Sequence, residues 1–335
     1  MLTDVGAGRV DRASAVAIQP NGKIVVAGFS KAKGNADFAL ARYTPTGALD
    51  PSFGTDGTVL TGFGASTVDQ ATAMVIQPNG KILVAGSSRE NGNWDVALAR
   101  YTRRGTLDRS FGTGGKVRLD FGGARHDQAT AMAIQPNGKI VIAGTRGFGL
   151  NAGFELARFT KHGALDTLFG TGGKVVTRFG SVIAGAYAVE IQQDGKLVVA
   201  GWGFRYAHTK EYDAIARYTT RGTLDPSFGT RGRVLTKIGV SRYLFGYAAA
   251  LQRNGEIIVA GATDIRYGEV FALVRYTSRG ILDRRFGVRG RVLTGFNGTG
   301  NRQINALAIQ PNGRIVAVGS SQSYNNDFAL ARYLP

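Results

Sequence analysis

One motif is written six times along the chain, and a motif that fills a whole chain leaves few folds open to it. The segment Ile18-Gln19-Pro20-Asn21-Gly22-Lys23 returns as Ile76 to Lys81 and Ile134 to Lys139. Variants follow at Ile191 to Lys196, Leu251 to Glu256 and Ile309 to Arg314. The shared glycine stands at 22, 80, 138, 195, 255 and 313, a period of about 58 across all 335 residues. No linker or second composition is left over, so residues 1–335 are expected to form a single domain.

Each copy reads as four strands. An alanine-rich run, Ala71 to Gln77, ends at Asn79-Gly80. Asn-Gly between apolar runs signals a hairpin, here expected as a type I′ turn with positive φ at both central residues. Lys81 to Gly86 is the second strand, a variable polar loop follows, and Val96 to Thr102 is the third. A long turn with Leu107-Asp108 and Phe111-Gly112 leads to the fourth, Lys116 to Phe121. The 49 glycines against 8 prolines suit many tight turns and exclude a helical bundle. The expected fold is all-β: a six-bladed β-propeller with four antiparallel strands per blade, whose radial closure protects sheet edges. The alternative, an open solenoid, leaves both end strands unpaired. Met1-Leu2-Thr3 aligns with Val59-Leu60-Thr61, while the chain stops at Arg332-Tyr333-Leu334-Pro335, the end of a third strand. Residues 1–6 are therefore expected to close the last blade as its outermost strand.

The Gln-Pro-Asn-Gly-Lys hairpin and the Leu-Asp-Pro-Ser-Phe-Gly turn, Leu49 to Gly54 and Leu224 to Gly229, resemble the bacterial delta-60 repeat. The resemblance covers nearly the whole chain; the sixth Leu-Asp turn is missing. It implies a propeller of the kind found in large secreted or surface proteins of bacteria, and it implies no activity. The N-terminus, Met1-Leu2-Thr3-Asp4, lacks the charged and apolar regions of a signal peptide.

Recurring residues read first as structure. Ala15, Ala73, Ala131, Ala188, Ala248 and Ala306 fall at one position of the first strand, where six strands converge and small side chains fit. An arginine recurs on every third strand, and in five copies an aspartate follows eight residues later. The pairs are Arg42 with Asp50, Arg100 with Asp108, Arg158 with Asp166, Arg217 with Asp225 and Arg275 with Asp283. Buried charge must be paired, so each pair is expected to form a bidentate bridge that pins the long turn. A ring of anion-binding arginines is the functional alternative. Arg332 has no such aspartate and is expected to be solvated or paired elsewhere.

Function can hide where the blades differ. The loops of blades 4 and 5 depart furthest: Trp202 to Tyr212, Ser241 to Tyr247, and Asp264 to Tyr267. Aromatic faces stack on sugars or bases, and arginines bind carboxylates, sulfates or phosphates. Trp202, Arg205, Tyr206, His208, Arg242, Tyr243, Arg266 and Tyr267 are the candidate ligand-binding residues. The plain alternative is loops packing their own apolar undersides. The excess of 41 Lys+Arg over 23 Asp+Glu gives a net +18, which favours an anionic partner such as an acidic polysaccharide or another polyanion. No nucleic-acid motif accompanies that charge.

Enzyme chemistry is poorly provided for. There is no cysteine, and His126, His162 and His208 have no metal-ligand spacing. The Gly-rich turns match neither a P-loop nor a dinucleotide fingerprint, because strands follow them. Asp11, Asp69 and Asp127 precede inner strands, but Ala184, Leu244 and Arg302 stand there in the other blades, so no ring of carboxylates forms. No cofactor, metal, membrane span or oligomer is expected. The leading reading is a non-catalytic binding or scaffold propeller for an anionic glycan or cell-surface polymer. The alternatives are a lyase on acidic polysaccharide, with Tyr206 or His208 as proton acceptor and Arg205, Arg242 or Arg266 neutralising the uronate, and a purely architectural repeat.

Overall fold

Strands such as Ile82-Leu83-Val84-Ala85 carry no alternation, and in the computed structural model all four residues are fully buried, as strands covered on both faces must be. The structure describes residues 3–6, 10–31, 35–122, 126–147, 152–205, 210–237, 244–265, 268–296, 301–322 and 326–335. The first sheet is β1 (Asp11–Ile18), β2 (Ile24–Ser30), β3 (Asp37–Tyr43) and β4 (Thr58–Thr61). The second is β5 (Val68–Ile76), β6 (Ile82–Glu90), β7 (Asn93–Tyr101) and β8 (Lys116–Leu119). The third is β9 (Asp127–Ile134), β10 (Ile140–Arg146), β11 (Gly153–Phe159) and β12 (Lys174–Thr177). The fourth is β13 (Ile183–Ile191), β14 (Leu197–Arg205), β15 (Lys210–Tyr218) and β16 (Arg233–Thr236). The fifth is β17 (Leu244–Leu251), β18 (Ile257–Ile265), β19 (Gly268–Tyr276) and β20 (Arg291–Thr294), and the sixth is β21 (Asn301–Ile309), β22 (Ile315–Gln322) and β23 (Asn326–Tyr333).

Each sheet is an antiparallel meander in chain order, and together they make a six-bladed β-propeller. The chain divides into two compact units, Met1–Phe148 with Leu156–Lys174 and Gly149–Glu155 with Val175–Pro335. Apolar clusters join consecutive blades within each unit. In the first, Leu98 and Phe111 of blade 2 pack with Met132 and Ile140 of blade 3. In the second, Ile215 and Phe228 of blade 4 pack with Ile257 and Val259 of blade 5.

The expectation about the hairpin turn is corrected. The Asn-Gly hairpin is not type I′. Gly22 and Gly80 have positive φ, at 79° and 76°, while Asn21 and Asn79 are absent from the positive-φ residues. Gln19 N–H donates to the Lys23 carbonyl and Gly22 N–H to the Gln19 carbonyl, so Pro20, Asn21 and Gly22 form a three-residue loop. Proline fixes φ near −65° at the first loop position, which suits a type I turn closed by a left-handed glycine. Asn21 Oδ1 then accepts the Lys23 N–H at 3.2 Å. The sixth sheet holds three strands among the described residues. Of the expected closing strand, residues 1 and 2 lie outside the described residues, and residues 3–6 form no strand. Thr3 accepts the Tyr43 hydroxyl at 2.8 Å, and the Val5 carbonyl accepts Ser30 Oγ–H at 2.5 Å. Thr177 serves Tyr218 in the same way at 2.7 Å, so Thr3 stands toward blade 1 as a preceding fourth strand does toward the next blade. In the second unit Phe328 and Leu330 are 104% and 63% exposed, where the matching Phe38 and Leu40 are buried.

The arginine–aspartate pairs form at 2.7, 2.7, 2.6, 3.0 and 2.8 Å from blade 1 to blade 5. They are not bidentate. Arg42 gives Nε to Asp50 Oδ2, Nη2 to Ser52 Oγ, and Nη1 to the Arg103 carbonyl of the next blade. Asp50 Oδ1 is already taken by the Ser52 N–H and hydroxyl, which leaves one oxygen for the guanidinium. Arg100 and Arg217 reach the Lys161 and Ser278 carbonyls likewise. Burial alone raises the Asp50 carboxyl, but Lys23, Ser52 and Arg42 hold it well below the usual range. Arg332 is exposed.

Candidate functional site

The first strand of every blade carries one extra residue, and the bulge decides which side chain turns aside from the ladder. The extra residues are Ser14, Thr72, Thr130, Tyr187, Tyr247 and Asn305. Opposite each bulge runs a glycine. A Cβ at Gly86 would lie 2.0 Å from the Gln70 carbonyl oxygen, so only glycine fits. Blades 4 and 5 alone place aromatic rings at the bulge. The Tyr187 and Tyr247 ring centroids are 5.5 Å apart, tilted by 37°. Trp202, three residues before the end of β14, hydrogen-bonds the Tyr187 hydroxyl, which burial raises above its ordinary pKa. All three rings are half-buried, so each keeps exposed surface.

Of the sequence candidates, Trp202 and Arg205 are described. They sit three residues apart on β14, on opposite faces of the strand, so they do not form one patch. Tyr206, His208, Arg242, Tyr243, Arg266 and Tyr267 lie outside the described residues. Their segments, 206–209, 238–243 and 266–267, join β14 to β15, lead into β17, and join β18 to β19. An open groove of about 470 Å³ lies between the hairpin turns of blades 4 and 5, beside Gln192, Asp194 and Arg253. It contains none of the aromatic trio.

Two carboxyls in this unit, Glu190 half-buried and Asp213 buried, escaped the sequence reading. Burial pushes Glu190 of β13 up to about 7. Asp213 of β15, pushed up to about 7 by burial, accepts the Tyr276 hydroxyl at 3.0 Å. Asp213 takes the strand position that Phe38 and Phe154 hold in other blades, and this substitution was the available signal.

The first unit brings together three carboxylates that no spacing rule connects. Asp95 of β7, Asp120 after β8 and Asp127 of β9 each offer an oxygen within 4.8 Å of the other two. Burial pushes Asp127 up to about 6, and the neighbouring Asp120 and Asp95 add to the rise. Asp11 and Asp69 do not join this group; Asp69 accepts the Phe63 N–H at 2.8 Å, capping its own loop.

No curated protein matches the chain. Among solved structures, the polysaccharide lyase Uly1 is 11% identical, with 99% of this chain and 84% of that one covered, at a TM-score of 0.50. A PL25 ulvan lyase bound to -[GlcA(1-4)Rha3S]- is 13% identical, with 98% and 84% covered, at 0.52. Sqt1 of Chaetomium thermophilum, bound to the N-terminus of ribosomal protein L10, is 13% identical, with 96% and 88% covered, at 0.50. At such identities the likeness is one of fold alone. The family described as "Domain of unknown function (DUF5122) beta-propeller" matches residues 19–53, 77–111, 135–169, 192–228, 252–286 and 310–335, and the chain belongs to it.

Proposed function

We propose that this propeller is a non-catalytic binding module for an anionic polysaccharide, held on the aromatic surface of blades 4 and 5. The observation that carries the reading is the trio Tyr187, Trp202 and Tyr247: half-buried rings, two of them aimed by bulges, in the only two blades that have them. The exposed parts of these rings can stack on sugars, and the net charge of +18 draws a polyanion toward the surface. The connecting segments of the same strands supply Arg242, Tyr243, Arg266 and Tyr267 as further contacts. The delta-60 repeat reading of the blades, and a single closed domain over residues 1–335, belong to the same proposal. The fold neighbour bound to a sulfated glucuronate–rhamnose polymer makes that polymer the first probe.

A glycan array read at two salt concentrations tests it. Binding to sulfated or uronate polymers that weakens with salt, and is lost in Trp202→Ala, supports the module. The array is paired with an ultraviolet assay for unsaturated uronate. New absorbance that disappears in His208→Ala or Tyr206→Phe would replace the module with the lyase, and silence in both assays would leave an architectural repeat.

A further inference from the structure

We propose that Asp95, Asp120 and Asp127 form a binding site for a hard divalent cation, with Ca²⁺ the ion their chemistry suits, at the junction of blades 2 and 3. Their three ligand oxygens lie within 4.8 Å of one another. Two oxygens held by one Ca²⁺ at about 2.4 Å can stand no further apart than about 4.8 Å, so the spacing allows all three to share one ion. Donors that are all carboxylate oxygens select a hard cation over zinc or copper.

A second observation is independent of the clustering. Asp127 is 0% exposed, its Oδ2 accepts the Phe121 N–H at 2.8 Å, and its Oδ1 has no hydrogen-bond partner. A buried carboxylate oxygen without a donor carries an uncompensated desolvation cost. A cation shared with Asp120 and Asp95 would supply that partner. The neighbours orient the other two carboxylates without exhausting them. Gly122 N–H donates to Asp120 Oδ1 at 2.6 Å, while Asn93 and the Arg118 guanidinium hold the two oxygens of Asp95 at 3.0 and 2.8 Å. Arg118 is shared with Glu90, and Arg146 offsets part of the Asp127 charge. Four carboxylates thus face two guanidiniums. Asp120 is exposed, which gives an ion access and leaves room for water ligands.

The preceding junction supplies a natural control. Asp37 and Asp69 occupy the positions of Asp95 and Asp127, and Asp69 too is buried with an unpartnered Oδ1. Gly62 stands where Asp120 stands, and Thr67 Oγ donates to Asp69 Oδ2 at 2.8 Å. Asp69 and the Thr67 hydroxyl cap that loop, and the third carboxylate is missing.

Terbium(III), a luminescent stand-in for Ca²⁺, reads the site directly, because Trp94 adjoins Asp95 in β7 and can sensitise its emission. The full chain is titrated with Tb³⁺ and the signal is displaced with Ca²⁺ or Mg²⁺. The expected result is saturable emission, displaced by Ca²⁺ at lower concentration than by Mg²⁺. Affinity should fall at least about tenfold in Asp120→Asn, and remain in Asp37→Asn. Asp120 is exposed, so its variant should keep the wild-type circular dichroism. Absence of saturable emission, or equal affinity in wild type and Asp120→Asn, would overturn the site and reduce the cluster to a loop cap.

Discussion

Arg100 Nε donates to Asp108 Oδ2 at 2.7 Å with both side chains buried, and the same guanidinium lies 4.6 Å above the Phe111 ring. One arginine thus closes its own long turn, stacks on it, and reaches the Lys161 carbonyl of the next blade. Arg100→Ala leaves Asp108 with Lys81 as its one cation and should cost about 3–5 kcal/mol, read from the urea midpoint. Arg100→Lys should recover only part of this, because a compact ammonium cannot span the three separated acceptors that Nε, Nη1 and Nη2 reach. The exposed Arg332 is the control, and Arg332→Ala should change stability by less than about 0.5 kcal/mol.

The bulge glycines give a second expectation. A methyl at Gly86 would meet the Gln70 carbonyl oxygen at 2.0 Å and the Ala71 Cα at 2.8 Å, both backbone atoms that cannot swing away. Gly86→Ala should therefore cost more than about 3 kcal/mol or prevent folding. Gly92 has a φ of +85° but open space around it, so Gly92→Ala should cost only about 1 kcal/mol of backbone strain. Equal thermal shifts for the two variants would show that the bulge does not require close approach.

Asp213 sets a pH dependence. Burial pushes its carboxyl from 3.8 up to about 7, so the folded chain binds this proton more tightly than the unfolded one. Its contribution is present at low pH and is lost as pH rises from about 4 to about 7, by a few kcal/mol at most. Asp50 and Asp108, held low by their lysine and arginine partners, act oppositely and lose stability as pH falls below about 4. Asp213→Asn keeps an acceptor for the Tyr276 hydroxyl and should flatten the fall between about pH 4 and pH 7. A melting curve series in which wild type and variant keep the same slope would place the titration elsewhere.

How much of this was legible follows from distance along the chain. The blade repeat, the strand order and the Arg100–Asp108 pair were readable because each is local or repeated, the pair being eight residues apart in five copies. Lys81 reads in sequence only as the close of a hairpin and the start of the second strand, yet its ammonium reaches the same carboxylate from 27 residues away. The Lys161 carbonyl is 61 residues from Arg100, and no pattern within one repeat points to it. Bulges are invisible to a period-two reading, so Tyr187 was missed and Ala188 was noticed instead. Asp95, Asp120 and Asp127 come from a third strand, a fourth-strand exit and the next first strand, and only the folded junction brings them together. Arg205 was grouped with Trp202 as a loop residue, but β14 extends through both and turns them to opposite faces.

Binding of an anionic polysaccharide is the role proposed for the aromatic trio of blades 4 and 5. Equilibrium titration of the chain with a sulfated glucuronate–rhamnose polymer, comparing wild type with a Tyr187→Ala, Trp202→Ala double variant at low and high salt, tests it most directly. Wild type should bind saturably and more weakly as salt rises, and the variant should bind at least about tenfold more weakly at unchanged circular dichroism. Binding that is equal in wild type and variant, or that vanishes for both once charge is screened, would contradict it.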